Sequence, residues 1–108
     1  MTEYKISLIP GDGIGPELSE ATLKVLQATE KKYGLKFKIM ECPAGDIALE
    51  TVGQALPADT VETIKNSHAC MKGPVGESAA DVIVKLRYIF DLYANLRPIK
   101  TYPAVEAA

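Results

Sequence analysis

The chain has 108 residues, 47% hydrophobic and 24% charged, with a net charge of −2. That is enough for one globular domain with a modest buried core. The balance of charge excludes a composition-driven nucleic-acid or membrane-surface partner, and no apolar run reaches membrane-spanning length.

The segment Tyr4–Ile9 carries Ile6, Leu8 and Ile9 and stops at Pro10, which predicts a short strand. Gly11–Gly15 is the densest glycine cluster in the sequence. Pro16 suits the first turn of a helix, where its missing N–H is no loss. Glu17 and Glu20 favour that helix end electrostatically. Leu18, Ala21, Val25 and Leu26 recur at helical spacing before Gly34, so Pro16–Tyr33 reads as a helix with one buried face. Leu35, Phe37 and Ile39 alternate with Lys36, Lys38 and Met40, the period of a half-buried strand. A short helix over Ile47–Thr51 ends at Gly53, and Pro57 opens another with Val61 and Ile64 on one face. His68–Met71 reads as a short buried strand, Asp81–Phe90 as a helix, and Leu92–Leu96 as a final strand. Strands alternating with helices define an α/β chain with a mixed or parallel sheet.

Strand, glycine loop and helix form the usual frame of an anion or nucleotide site, because glycines admit a ligand to the backbone and the helix end attracts negative charge. The loop is nonetheless not a Rossmann fingerprint. Reading G-x-G-x-x-G from Gly11 puts Pro16 at the third glycine, and no G-K-[ST] follows to make a P-loop. A tight turn needing positive φ explains the glycines as well. The basic residues divide unevenly: of the 12 lysines and arginines, only Arg87 and Arg97 are arginine. A rigid guanidinium fork suits a di- or tricarboxylate ligand. A surface ion pair, such as Arg87 with Asp91 one turn on, explains Arg87 equally.

The motifs taken together are more specific. I-P-G-D-G-I-G-P-E at Ile9–Glu17, G-P-V-G at Gly73–Gly76, K-L-R at Lys85–Arg87 and D-L-Y-A-N-L-R-P at Asp91–Pro98 occur in one order. In order and spacing the chain resembles, over nearly its whole length, the isocitrate and 3-isopropylmalate dehydrogenases, the metal-dependent β-decarboxylating dehydrogenases. The resemblance implies their non-Rossmann α/β fold with flanking helices, incomplete at this length. It also implies that residues 1–108 are the N-terminal part of the large cofactor- and substrate-binding domain. The implied reaction is oxidation of a 2-hydroxy-3-carboxylic acid with NAD or NADP and Mg²⁺ or Mn²⁺, followed by loss of CO₂. Arg87 and Arg97 are then expected to clamp the malate carboxylate common to the family's substrates. Ile14 would lie near the nicotinamide end of the cofactor, and Lys72, Gly73, Pro74, Val75 and Gly76 would line the same cleft.

Substrate choice in the family turns on the helical turn before Arg87, where isocitrate users carry serine and asparagine. Here those positions are Asp81 and Ile83. Ile83 shares the face of Arg87 and suits an isopropyl group, while Asp81 repels a third carboxylate. The expectation is therefore 3-isopropylmalate, as in leucine biosynthesis, with isocitrate, homoisocitrate and tartrate-type acids as the alternatives.

The family's catalytic tyrosine and lysine, its metal-binding aspartates and a third arginine lie later in the family chain. No catalytic residue or metal ligand is therefore expected among these residues, and the 108-residue chain alone should be inactive. His68 reads as a core or edge residue, Asp12 and Glu17 as turn and helix-start residues, and Tyr93 and Tyr102 as packing residues. Cys42 and Cys70 sit in neither metal nor redox spacing and read as reduced thiols of a cytoplasmic protein. The opening residues lack a signal-peptide pattern. As a family member the protein is expected to work as a homodimer or tetramer. As an isolated chain, with open sheet edges, it is expected to associate or to be poorly soluble. The alternative of another class is a non-catalytic fragment or interaction module.

Overall fold

The structure is a computed structural model describing residues 2–106, the Ser78 side chain apart. Strand β1 (Thr2–Ile9) leads through the glycine loop to helix α1 (Gly15–Tyr33) and back to β2 (Leu35–Glu41). Helices α2 (Asp46–Val52) and α3 (Ala58–Lys65) follow, then β3 (Ala69–Lys72), a 3-10 turn at Glu77–Ala79 and α4 (Val82–Ile89). The strands lie in the order β2-β1-β3, and β1 is parallel to both neighbours.

Local chemistry accounts for these limits. The lysines of the last turn of α1 and left-handed Gly34 (φ 64°), whose N–H donates to the Glu30 carbonyl, close that helix. Gly53 (φ 78°) ends α2 the same way. The β1–β2 register pairs Tyr4 with Phe37 and Ile6 with Ile39, so the apolar residues of both strands stay in phase. Parallel strands joined right-handedly to opposite sides of β1 put their crossover helices on opposite faces of the sheet.

The buried core lies on one face. Ile9, Cys42, Ala44, Ala79, Val82 and Leu86 form it, with Ala55, Leu56, Ile64, Val75 and Phe90 packed around them. Polar groups in this layer are matched: Thr60 donates to the Pro43 carbonyl, and the Ser7 and Ser67 hydroxyls lie 3.0 Å apart. The other face is only part covered. Of the expected buried face of α1, Leu18, Ala21, Val25 and Leu26, only Leu26 is half-buried; Leu18 is 48% and Val25 66% exposed. The helix instead turns Gly15, Ser19, Thr22, Leu23 and Leu26 toward the sheet. The stripe beside them overhangs β3, where a cleft of about 540 Å³ runs between Leu18, Val25, Leu8 and Met71.

Three further expectations need correction. The strand expected at His68–Met71 forms as β3 but is not buried, because it is an outer strand of the described sheet: His68, Ala69 and Cys70 are exposed. Leu92–Leu96 forms no strand; the chain from Leu92 to Ile99 is irregular and exposed, because no strand among the described residues lies beside it. Tyr93 and Tyr102 do not pack, being 100% and 59% exposed. The radius of gyration, 15.6 Å, exceeds the roughly 13 Å of a compact chain this long. No helix among the described residues is long and apolar enough to cross a membrane.

Stability should follow this one-sided core. Ile9→Ala, at a side chain with no solvent exposure, should lower unfolding free energy by about 2–5 kcal/mol. Val25→Ala, on the open stripe, should change it by less than about 0.5 kcal/mol. Urea denaturation of the two variants measures the difference, and equal losses would contradict the packing described here.

Candidate functional site

All three strands run the same way, so their carboxyl ends gather at one rim. The chain leaves β1 for β2 on one side, and β3 lies on the other, which makes that rim a topological switch point. In open parallel sheets such a crevice is where ligands bind. The glycine loop Gly11–Gly15 follows β1 there, and Gly73–Gly76 follows β3.

The two loops are in direct contact. The Asp12 N–H donates to the Pro74 carbonyl at 2.7 Å, and the Gly73 N–H to the Ile9 carbonyl at 2.7 Å. A Cβ on Gly11 would collide with the Pro74 carbonyl, and one on Gly15 or Gly73 with the Pro10 carbonyl. Close approach of two backbones is therefore what these three glycines provide. Gly13 is different: its φ is 57° and nothing stands within 4 Å of an added Cβ. Beside it Ile14 caps α1 and is 65% exposed. Neither the Gly13 nor the Ile14 amide meets an acceptor among the described residues.

The Asp12 side chain ties this frame to a third element. One carboxylate oxygen accepts from the Asp46 N–H at 2.7 Å and the Gly76 N–H at 2.7 Å, and the other accepts from the Ile47 N–H at 2.9 Å. Asp46 and Ile47 open α2, whose own cap residue, Gly45, has no side chain to offer. Asp12 thus caps a helix 34 residues away in sequence and holds a loop 64 residues away. The expected turn is real, but the partners of the side chain are remote, and the only sequence signal for them is a carboxylate inside a glycine loop. Desolvation acts to raise the Asp12 pKa; the amides of Ile47, Gly76 and Asp46, with the charge of Lys72, outweigh it and hold the carboxyl below its ordinary 3.8.

The remaining expected site residues fall into two groups. Lys72 ends β3 beside the loops, with its ammonium donating to the Gly73 carbonyl at 2.9 Å. Asp81, Ile83 and Arg87 belong to α4 and its approach. Ile83 and Arg87 are half-buried one turn apart, and Val82 and Leu86 pin the helix to the core. Ile83 faces a cleft of about 410 Å³ with Ile64, Cys70 and Phe90 on its walls. Asp81 is exposed and paired with Lys85 at 2.8 Å; that hydrogen bond, ahead of the lysine's charge, lowers its pKa. Arg87 makes no ion pair with Asp91 or with any acid among the described residues, because Asp91 (φ 49°) turns the chain away after α4. Arg97 lies exposed in the irregular segment, and its Nε donates weakly to Asn95 Oδ1 at 3.4 Å. No contact joins the two arginines.

The other candidates are inert. His68 is an edge residue: its Nδ1 accepts from the Lys5 N–H at 2.9 Å and its ring stands edge-on to Tyr4. Burial, then the nearby Cys70 and Glu41, pushes the Cys42 thiol up to about 11, too high for a nucleophile. Both cysteines are free. No group of three or more His, Cys, Asp or Glu side chains able to hold a metal occurs among the described residues. What the rim offers is two unpartnered amides at the start of a 19-residue helix and an open glycine beside an exposed isoleucine, a chemistry that fits an anionic group such as the phosphate of a dinucleotide.

A parallel sheet with two glycine loops locked together at its carboxyl rim defines the chain as α/β. The profile of the isocitrate/isopropylmalate dehydrogenase family matches residues 5–108, and the chain belongs to that family. It is 46% identical over 104 residues to the 3-isopropylmalate dehydrogenase of Saccharolobus solfataricus, covering 96% of this chain and 31% of that protein. It is 50% identical over 103 residues to the 3-isopropylmalate/3-methylmalate dehydrogenase of Methanocaldococcus jannaschii, covering 95% and 30%. Among solved structures it is similar to the TT0538 protein of Thermus thermophilus, with TM-score 0.71 and 38% identity over 95% of this chain and 21% of that one. The chain thus spans just under a third of the curated relatives it matches.

The lowered Asp12 pKa has a stability consequence. A carboxyl whose folded pKa is depressed stabilises the fold above its unfolded pKa, and the effect is lost as pH falls through the folded value. The melting temperature should therefore fall as pH drops below 3.8, and Asp12→Asn should flatten part of that fall. Melting curves between neutral pH and pH ~2 check this; an unchanged slope in the variant contradicts it.

Proposed function

We propose that the protein carrying this chain oxidises and decarboxylates 3-isopropylmalate, using NAD and a divalent cation. The observation that carries this reading is the pair of loops locked at the carboxyl rim of a parallel sheet, in a chain of this family. The names of its relatives support the substrate. NAD, when bound, supplies hydride acceptance. The residues here bind and orient. Gly13 and Ile14 present their amides and an apolar contact to the dinucleotide, and Lys72–Gly76 line its other side. Arg87 and Arg97 take the malate carboxylates, and residues 1–108 make up the N-terminal part of the domain that holds both ligands. An arginine without an acidic partner, on a helix fixed to the core, remains available to a carboxylate ligand. Arg97 reaches that position only when its segment is packed. The groups that move protons and hold the cation come from outside these residues, and the assembly is a homo-oligomer working in the cytoplasm.

The test is formation of NADH from 3-isopropylmalate, NAD and Mg²⁺, followed by absorbance. The protein as its own reading frame encodes it should be active, and the 108-residue chain alone should form none. Turnover of isocitrate in preference to 3-isopropylmalate would overturn the substrate assignment.

Ile83 sets the preference in this reading, by apolar contact one turn from Arg87. Ile83→Ser should lower kcat/KM for 3-isopropylmalate by about 10–200-fold, the range of one apolar contact, while affecting malate far less. An unchanged ratio of kcat/KM for the two acids would remove Ile83 from the substrate site.

A further inference from the structure

The carboxylate of Asp12 does more than a turn requires. Three amides from two remote segments converge on it, each at 2.7–2.9 Å, and its own N–H holds the Pro74 carbonyl. Residues 74 and 76 are thereby bracketed by main chain and side chain of a single residue. The bracket has no slack. A Cβ on Gly45 would strike the Asp12 carboxylate, and one on Gly76 would strike the Asp46 carboxylate. An asparagine would keep the size but could not keep the contacts. It offers one acceptor oxygen in place of two, and its NH₂ would face an N–H donor. A buried or half-buried amide left without its acceptor is destabilising, and charged acceptors are the stronger kind.

We propose that Asp12 is the positioning residue of the cofactor side: its carboxylate fixes the Gly76 loop and the start of α2 against the glycine loop, and so sets the surface on which the dinucleotide lies. Asp12 touches no ligand in this role. It acts through Gly76 on one side and through its own loop, carrying Gly13 and Ile14, on the other. The substrate side, on α4, shares no hydrogen bond with it. Loss of the carboxylate should therefore separate the two ligands, which a general loss of stability would not do.

This inference rests on the dinucleotide reading above, and the experiment separates the two. Asp12→Asn is made in the protein as its own reading frame encodes it. NAD and 3-isopropylmalate binding are measured separately by calorimetry, and amide hydrogen exchange is followed at Asp46, Ile47 and Gly76. The variant should lose protection at all three amides and bind NAD at least about tenfold more weakly, with 3-isopropylmalate binding within about twofold of wild type. Asp12→Glu keeps the charge but, crowded at Gly45, should show the same selective loss to a smaller degree; it decides the matter if the asparagine variant does not fold. Protection lost with NAD affinity unchanged would overturn the positioning role. Equal weakening of both ligands would reduce Asp12 to a structural residue, which also overturns it. If the wild-type protein binds no NAD, the dinucleotide reading fails, and the exchange data alone then show whether the bracket exists.

Discussion

One carboxylate joins three segments that the sequence keeps far apart. Apart from Asp12, the glycine loop and the loop after β3 meet through backbone contacts between Gly11, Pro10, Gly73 and Pro74. Main-chain hydrogen bonds at a loop rim are exposed to competition from water, and each is worth little net. An ionised acceptor taking three N–H groups is stronger, and it also supplies the missing cap of α2. The electrostatics agree with the geometry: Lys72, which ends β3, adds its charge near the same carboxylate. The rim is thus held by a charge placed between backbone dipoles, while the hydrophobic core lies beneath it.

That core fixes what the rim can be. β1 is central and pairs with both neighbours in parallel, so the loops after β1 and β3 must emerge side by side. Ile9, the last residue of β1, is fully buried in the cluster that also holds Val82 and Leu86. The same cluster therefore supports the end of the strand that carries the glycine loop and the helix that carries Arg87. The distance between the rim loops and α4 is set by this packing. On the opposite face α1 covers β1 and β2 but overhangs β3, leaving Leu18 and Val25 in water. The open stripe, the uncovered outer edge of β3 and the irregular segment after α4 all report surface that these residues do not bury among themselves.

Much of this is legible in the chain. Period-two alternation locates β2, and glycine at 34 and 53 marks helix ends that are left-handed caps in the structure. Motif order locates the rim loops. The expectations that fail have a common cause. Leu92–Leu96 has strand composition, yet a strand exists only as a pair, and pairing partners are not written in the segment itself. The apolar stripe of α1 is visible in the sequence, but the side of the helix that the sheet covers depends on how many strands lie beneath it. Tyr93 and Tyr102 lack neighbours for the same reason. Asp12 escapes a sequence reading for a different one. A capping residue is recognisable when it sits next to its helix, and here the helix begins 34 residues on.

The arginines depend on what the rest of the chain does around them. A surface ion pair is the simpler explanation for Arg87, and the structure removes it: Asp91 follows a left-handed turn, and Asp81 is taken by Lys85. What remains is a half-buried arginine with no acidic partner among the described residues, on a helix whose other side is locked into the core. Partly burying a cation beside no anion is unfavourable, and long side chains escape by reaching for water unless something negative is brought to them. The one segment that could share that task, with Arg97, is itself unpacked and exposed. The glycine rim is held by hydrogen bonds between segments far apart in sequence, all of them within the described residues. The placement of Arg97 relative to Arg87, in contrast, depends on how the segment from Asp91 to Arg97 is packed.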